Sequence, residues 1–325
     1  MADEGSPDRS QLARWVSFGA TIIAPATVLS AVLFYFGYVS SRAQYQYFGV
    51  DVDTIGLSTR DYVMRSPQPL LVPLLVLTLL GVGGVVLHTA IRRRIATAVA
   101  GAADHESTSE VTRIRNLARR GIVAGLAVLG LGVVLLFAYT YIRDWALYNL
   151  VTPLFIAFGA SVIAYSWHVL NLLTPSRRGT VILTGAVGTV ALRRSAGVLI
   201  GVVVAASMFW ATATIAQWSG RGIAQYDARH LDRFPTVILD TQERLYLTDG
   251  CQHPAALHTP CIEETALPTS PGQTYHYRYR HFRLLIEGHD RMFLVPEVWS
   301  ASDSTLVVPL DGSVRVQFQF QNQAP

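Results

Sequence analysis

The sequence predicts a five-helix membrane bundle followed by a C-terminal extracytoplasmic all-β domain, a small antiparallel sandwich or barrel. Three observations predict it: five uncharged runs of membrane-spanning length, an Arg distribution weighted to one side of them, and period-two alternation after the last run. Hydrophobic residues make up 51% of the 325 residues and charged residues 15%. The mean hydropathy is positive, which sets the chain apart from an ordinary soluble domain.

After a tail of residues 1–15, the uncharged runs are Val16–Val39, Leu70–Ile91, Ile122–Ile142, Leu150–Leu173 and Ala196–Trp218. Each can cross about 30 Å of hydrocarbon at about 1.5 Å per residue. Together they define a membrane domain, residues 16–218, and leave residues 219–325 as the β domain. The first run reads as a signal anchor. It is too long for a cleaved signal peptide, and FYFGYVSSRAQ at its end has no small-x-small cleavage pattern.

Orientation follows from Arg placement, since all 26 basic residues are Arg, as a GC-rich genome favours. One set of connections holds thirteen: Arg9, Arg14, Arg92, Arg93, Arg94, Arg113, Arg115, Arg119, Arg120, Arg177, Arg178, Arg193 and Arg194. The opposite set holds four, Arg42, Arg60, Arg65 and Arg143. The N-terminus is therefore expected in the cytoplasm and the C-terminal domain outside. The apolar stretch Thr180–Leu192 has 13 residues, too few to span. Its flanking Arg pairs predict a cytoplasmic-face hairpin or surface helix, the alternatives being a re-entrant segment or a sixth crossing.

In the connection from Arg92 to Gly121, Ser107 and Glu110 have capping-box spacing, and Val111, Ile114 and Leu117 share one helical face. A helix is predicted from near Thr108 into the third run. Its Arg residues read as a membrane anchor meeting anionic headgroups, not as a nucleic-acid surface. No Asp, Glu, Arg or Lys lies within any run, which argues against an ion-coupled carrier and an aspartate-based intramembrane protease. The polar candidates inside the runs are His88, Tyr165, Ser166 and His168. Gly121 and Gly125, with Gly130 and Gly132 beyond, predict close helix packing.

Between the first two runs, Tyr45–Ser66 concentrates Tyr, Asp and Arg. Ser58 and Asp61 have capping-box spacing and Ser66-Pro67 suits a helix entry, so the stretch is predicted to be a helical cap. Asp51, Asp53 and Gly56 begin like a calcium loop, but Ile55 occupies a ligand position and no Glu closes the loop. Turn and cap roles fit these Asp residues better. The cap is expected to dock on the β domain, with Asp51, Asp53 or Asp61 pairing Arg278, Arg280 or Arg283. Tyr35, Phe36, Tyr38, Tyr45, Tyr47 and Phe48 suit an outer aromatic belt.

YFGVDVDTIGLSTRDYVMRS after the first run, YRYRHFRLLIEG and RMFLVPEVWS together resemble a family of multi-pass membrane proteins from high-GC actinobacteria, streptomycetes among them. The resemblance covers both ends of the chain. It implies a source and an architecture, and it brings no catalytic residues.

In the β domain, Val314, Val316, Phe318 and Phe320 alternate with polar residues, predicting a half-buried strand. STLVVPL precedes it across Asp311-Gly312, a dipeptide favoured in tight hairpins. TYHYRYRHFRLLIEG alternates on Tyr275, Tyr277 and Tyr279, then changes phase to Phe282, Leu284 and Ile286, the mark of a bulge. With TVILD and RLYLT the reading counts six or seven strands. Cys251 and Cys261 face an oxidising compartment and are assigned as a disulfide. A zinc site with His253 and His258, or two free thiols, are the alternatives. His230, His253, His258, His276, His281 and His289 all fall here, and the last five are candidates for pH sensing.

No catalytic, cofactor or metal motif stands out. The function predicted is a non-enzymatic membrane sensor or scaffold that presents its β domain to an envelope partner. A homo-oligomeric pore capped or gated by that domain is the alternative, and a membrane enzyme the second. The partners are the bilayer, an envelope protein and a second copy of the chain, with no nucleic acid and no cofactor.

Overall fold

The computed structural model describes residues 9–100, 105–142, 144–173, 186–247, 262–300 and 302–319. The chain divides into two compact units, Met1–Pro69 with Ala216–Pro325, and Leu70–Ile215.

The second unit is helical. Its elements are α4 (Pro67–Ala100), α5 (His105–Phe137), α6 (Tyr139–Ile142), α7 (Tyr148–Leu173) and α8 (Ala186–Arg229), the last of which ends in the first unit. Among the described residues four helices are long and apolar enough to cross a membrane: Pro67–Thr97, Val111–Phe137, Tyr148–Leu173 and Ser195–Arg229. The remaining predicted run, Val16–Val39, lies in α1 (Arg9–Gln46), a helix of 38 residues. Side chains before Pro25 lie outside the description.

α5 and α7 pack at backbone distance because glycines face each other. A Cβ on Gly159 would stand 2.6 Å from the Leu129 nitrogen, and one on Gly125 3.0 Å from the Gly159 carbonyl. Gly132 is equally close to Ile156, whereas Gly130 faces open space. α5 begins at His105, three residues before the predicted start, with Ser107 inside the helix and not at its cap. The third run is broken: α5 ends at Phe137 and Tyr139–Ile142 form the separate turn α6. Ala186–Leu192 are helical and continuous with α8, so that part of Thr180–Leu192 does not form a separate hairpin. The rest of that stretch lies outside the described residues.

The first unit joins α1, α2 (Val52–Ile55), α3 (Thr59–Arg65) and the end of α8 to one antiparallel sheet. Its strands are β1 (Thr236–Thr241), β2 (Glu263–Ala266), β3 (Tyr277–Glu287), β4 (Arg291–Pro296), β5 (Leu306–Pro309) and β6 (Val314–Gln319). Their order is β5-β4-β3-β1-β6, and β2 also pairs with β3, beyond the reach of β4 on the same edge.

This is one sheet, not the two layers of a sandwich. Residues 310–313 are all that separate β5 from β6. Five residue steps reach at most about 17 Å, while a flat path of this order would hold its end strands about 19 Å apart. Val308 of β5 and Val314 and Val316 of β6 share one cluster with Val237, Leu239, Tyr279 and Phe282, so the sheet curls and brings its far strands to a common core. No ladder joins β5 to β6 among the described strands.

Two strand expectations are corrected. The Asp311-Gly312 turn joins strands that do not pair with each other, because β5 pairs with β4 and β6 with β1. RLYLT forms no strand over Arg244–Leu247: Tyr246 has φ 45°, and the Leu245 N–H donates to the Tyr279 hydroxyl at 2.8 Å. The predicted bulge is present. Leu239 pairs with Tyr279 but Val237 with Phe282, so β3 carries an extra residue where His281 adopts φ 68°.

Candidate functional site

The candidate site is the junction of the 45–66 cap with the sheet. Asp51 caps α2 by accepting from the Asp53 N–H at 3.2 Å, and Gly56 ends it at φ 77°, a left-handed position that suits glycine. Ser58 and Asp61 form the full capping box of α3, with Asp61 Oδ2 accepting from the Ser58 N–H at 2.8 Å. These two short helices turn Val52, Ile55 and Tyr62 inward.

Those side chains meet the sheet in one apolar core. Tyr45, Phe48, Val50, Val52, Ile55 and Tyr62 are buried together with Leu285, Phe293 and Val295 of the sheet and with Ala224 and Leu231. The Phe48 ring packs against Trp299 at 5.1 Å. Thr305 donates to the Phe48 carbonyl at 2.6 Å. α1 is gripped from two sides: a Cβ on Gly37 would stand 1.9 Å from the Tyr62 carbonyl oxygen, and one on Gly220 of α8 2.1 Å from that of Ser40.

The predicted Asp–Arg pairs across this junction do not form. Asp51 and Asp61 are occupied by capping, and Asp53 accepts from the Tyr38 hydroxyl at 3.2 Å. Arg278 binds Asp240 with two hydrogen bonds, 2.8 and 3.1 Å. Arg283 is buried and binds Glu297 and, at 3.0 Å, the Phe234 carbonyl. Arg280 is exposed on β3 opposite Glu263. For Asp51 and Asp61 local partners outcompete distant ones, since a cap hydrogen bond closes a loop of only two or three residues.

Two polar clusters organise the sheet instead. Asp240 is fully buried on the inner strand β1, between its cross-strand neighbours Arg278 on β3 and Arg315 on β6. Arg315 reaches Asp240 Oδ2 at 2.5 and 2.9 Å and lies over the Tyr275 ring. Burial opposes the Asp240 charge, but hydrogen bonds and charge from both Arg outweigh it and hold the carboxyl below its usual range. In the second cluster Glu297 lies between Arg283 and His281, whose Nδ1 is 2.9 Å from Glu297 Oε2. Burial again opposes the charge and the His281 and Arg283 hydrogen bonds prevail, lowering the Glu297 carboxyl.

Of the pH-sensing candidates, His281 alone of those described contacts carboxylates, with Glu263 at 3.9 Å beyond Glu297. His276 meets the Gln242 carbonyl at 3.2 Å, and His289 is exposed beside Gly56. His253, His258 and the Cys251–Cys261 assignment lie outside the described residues. In the helical unit the predicted polar candidates do gather, with the His88 ring 5.7 Å from His168 and 6.0 Å from Tyr165. Among the described residues no cluster of three metal-ligating side chains is present.

Sequence reasoning missed Asp240 and Glu297. The signal for Asp240 was a lone carboxylate in TVILD, set beside strands that carry Arg on alternate positions. Compared with models of protein families, with curated proteins and with solved structures, the chain matches none.

Proposed function

We propose that this is a non-enzymatic integral membrane protein of five crossings, cytoplasmic at its N-terminus, whose extracytoplasmic β domain acts as a sensor or scaffold toward an envelope partner. The observation that carries the reading is the apolar core shared by the 45–66 cap and the sheet. Because cap and sheet share a core, they lie on the same side of any membrane the chain crosses. An even number of crossings must then separate them, and the four apolar helices between Pro67 and Arg229 supply it. α1 provides the fifth crossing, and the thirteen-to-four Arg asymmetry orients the set.

The same core supports sensing over simple tethering. A partner that displaces the sheet moves α2, α3 and α1 with it, since packed cores resist continuous deformation. The stretches resembling actinobacterial multi-pass proteins supply this core, from Phe48, Val52 and Ile55 to Phe293 and Val295.

The test is photo-crosslinking in intact cells from exposed sheet positions Arg280 and Gln317. A discrete adduct with one envelope component is expected, absent when the crosslinker sits at the exposed apolar Leu79 of α4. Ion flux through liposomes containing the purified protein would replace this reading with the pore.

A further inference from the structure

The helical unit contains a cavity of about 480 Å³ bordered by α4, α5 and α7, within the ~300–1,000 Å³ range of ligand sites. Ile95, Ile114 and Val169 form its apolar wall, and Arg94 and Arg120 line it as exposed residues. Among the described residues neither guanidinium has a carboxylate or hydrogen-bond partner. Tyr165 is also on the lining, and its hydroxyl is shut off from solvent with no hydrogen-bond partner among the described residues. A buried hydroxyl left unpaired costs free energy that a ligand oxygen would recover.

We propose that this cavity binds one phospholipid with an anionic headgroup. Two Arg with no partner among the described residues, at the rim of a mostly apolar cavity, call for a single ligand that is anionic at one end and hydrocarbon at the other. A phospholipid has that chemistry and is delivered by the bilayer, whose surface the predicted Arg-rich connection already meets. Its phosphate lies between Arg94 and Arg120, the Tyr165 hydroxyl donates to a phosphate or ester oxygen, and an acyl chain covers Ile95, Ile114 and Val169. Near its C-terminal end α4 touches Ala118, Val169 and Leu173 through Ile95, while Leu79, Val82, Val85 and Val86 farther back along it are exposed.

Native mass spectrometry of the purified chain with phosphatidylglycerol or phosphatidylcholine tests this. Phosphatidylglycerol is expected to be retained preferentially by about twenty-five-fold, near fivefold for each Arg–headgroup contact. The Arg94→Gln/Arg120→Gln protein should lose that preference. Arg113→Gln/Arg119→Gln, which removes the same charge from α5 outside the cavity, should keep it. Tyr165→Phe removes only the hydroxyl and should lower retention about fivefold, a readout that survives if the double variant fails to fold. Equal retention of the two lipids, or equal loss in both double variants, overturns the site in favour of diffuse surface charge. Displacement of phosphatidylglycerol by millimolar inorganic phosphate alone overturns it in favour of a free-anion site.

Discussion

Gly288, in the turn between β3 and β4, lies so close to Ile55 of α2 that a Cβ on the glycine would stand 2.4 Å from the Ile55 carbonyl oxygen. The turn holds its own shape by a Gly288 N–H bond to the Arg291 carbonyl at 2.8 Å. Backbone on backbone leaves no room to adjust. Gly288→Ala must therefore push α2 off the sheet, and unfolding measured in detergent should lose about 1–3 kcal/mol, as for overpacked cores. A change under about 0.5 kcal/mol would mean that the cap does not rest on this turn.

Apolar burial, not charge pairing, holds the cap. Phe48 is fully buried, and Phe48→Ala should cost about 3–5 kcal/mol. Charge reversal at Asp61 combined with reversal at Arg278 should be additive within about 0.5 kcal/mol, because the two residues have separate partners. A coupling well above that value in the double-mutant cycle would restore the electrostatic docking that the sequence suggested.

Asp240 makes the sheet sensitive to acid. A carboxyl whose folded pKa is depressed contributes fully above its unfolded value, about 3.9 for Asp, and loses that contribution as pH falls through the folded pKa. Stability should thus fall below about pH 4, with Glu297 adding to the same slope because its folded pKa is also lowered. Asp240→Asn should cost about 1–3 kcal/mol at neutral pH by weakening the charge-assisted hydrogen bonds that the carboxylate accepts from Arg278 and Arg315. It should also flatten the acid limb. Arg315 is 48% exposed, so Arg315→Gln should cost no more than about 1 kcal/mol. An acid limb unchanged in Asp240→Asn, followed by circular dichroism, would remove Asp240 from this role.

What the sequence made legible was local. The Ser58–Asp61 capping box, the facing glycines of α5 and the phase change at Tyr279–Phe282 each depend on neighbours a few residues apart, and each recurs in the structure. Pairing across long separations was not legible. β6 joins β1, with paired residues 73 to 83 positions apart, and not the strand just before it, because curling of the sheet places the two far edges near each other. Asp–Arg complementarity misled for the same reason. Opposite charges were abundant on both segments, and only cross-strand register determines that Arg278 faces Asp240.

Threading has a test that separates the parity of the crossings from the Arg count. The Thr305 hydrogen bond to Phe48 ties the residues beside Ser304 to the loop that follows α1, so a label at Ser304 and one at Thr54 must react from the same side whatever the orientation. Both positions are exposed. Ser109, between the second and third apolar runs, belongs to the opposite side if each of the four helices crosses once. In a background lacking Cys251 and Cys261, single Cys at Thr54 and Ser304 should react with an impermeant maleimide on intact cells, and Cys at Ser109 only after lysis. If Thr54 and Ser304 react while Ser109 does too, the helices between them do not all cross. If Ser109 alone reacts, the parity stands and the Arg asymmetry has been read backwards. If Thr54 and Ser304 differ, the shared core cannot exist in the membrane, and the sensor reading falls with it.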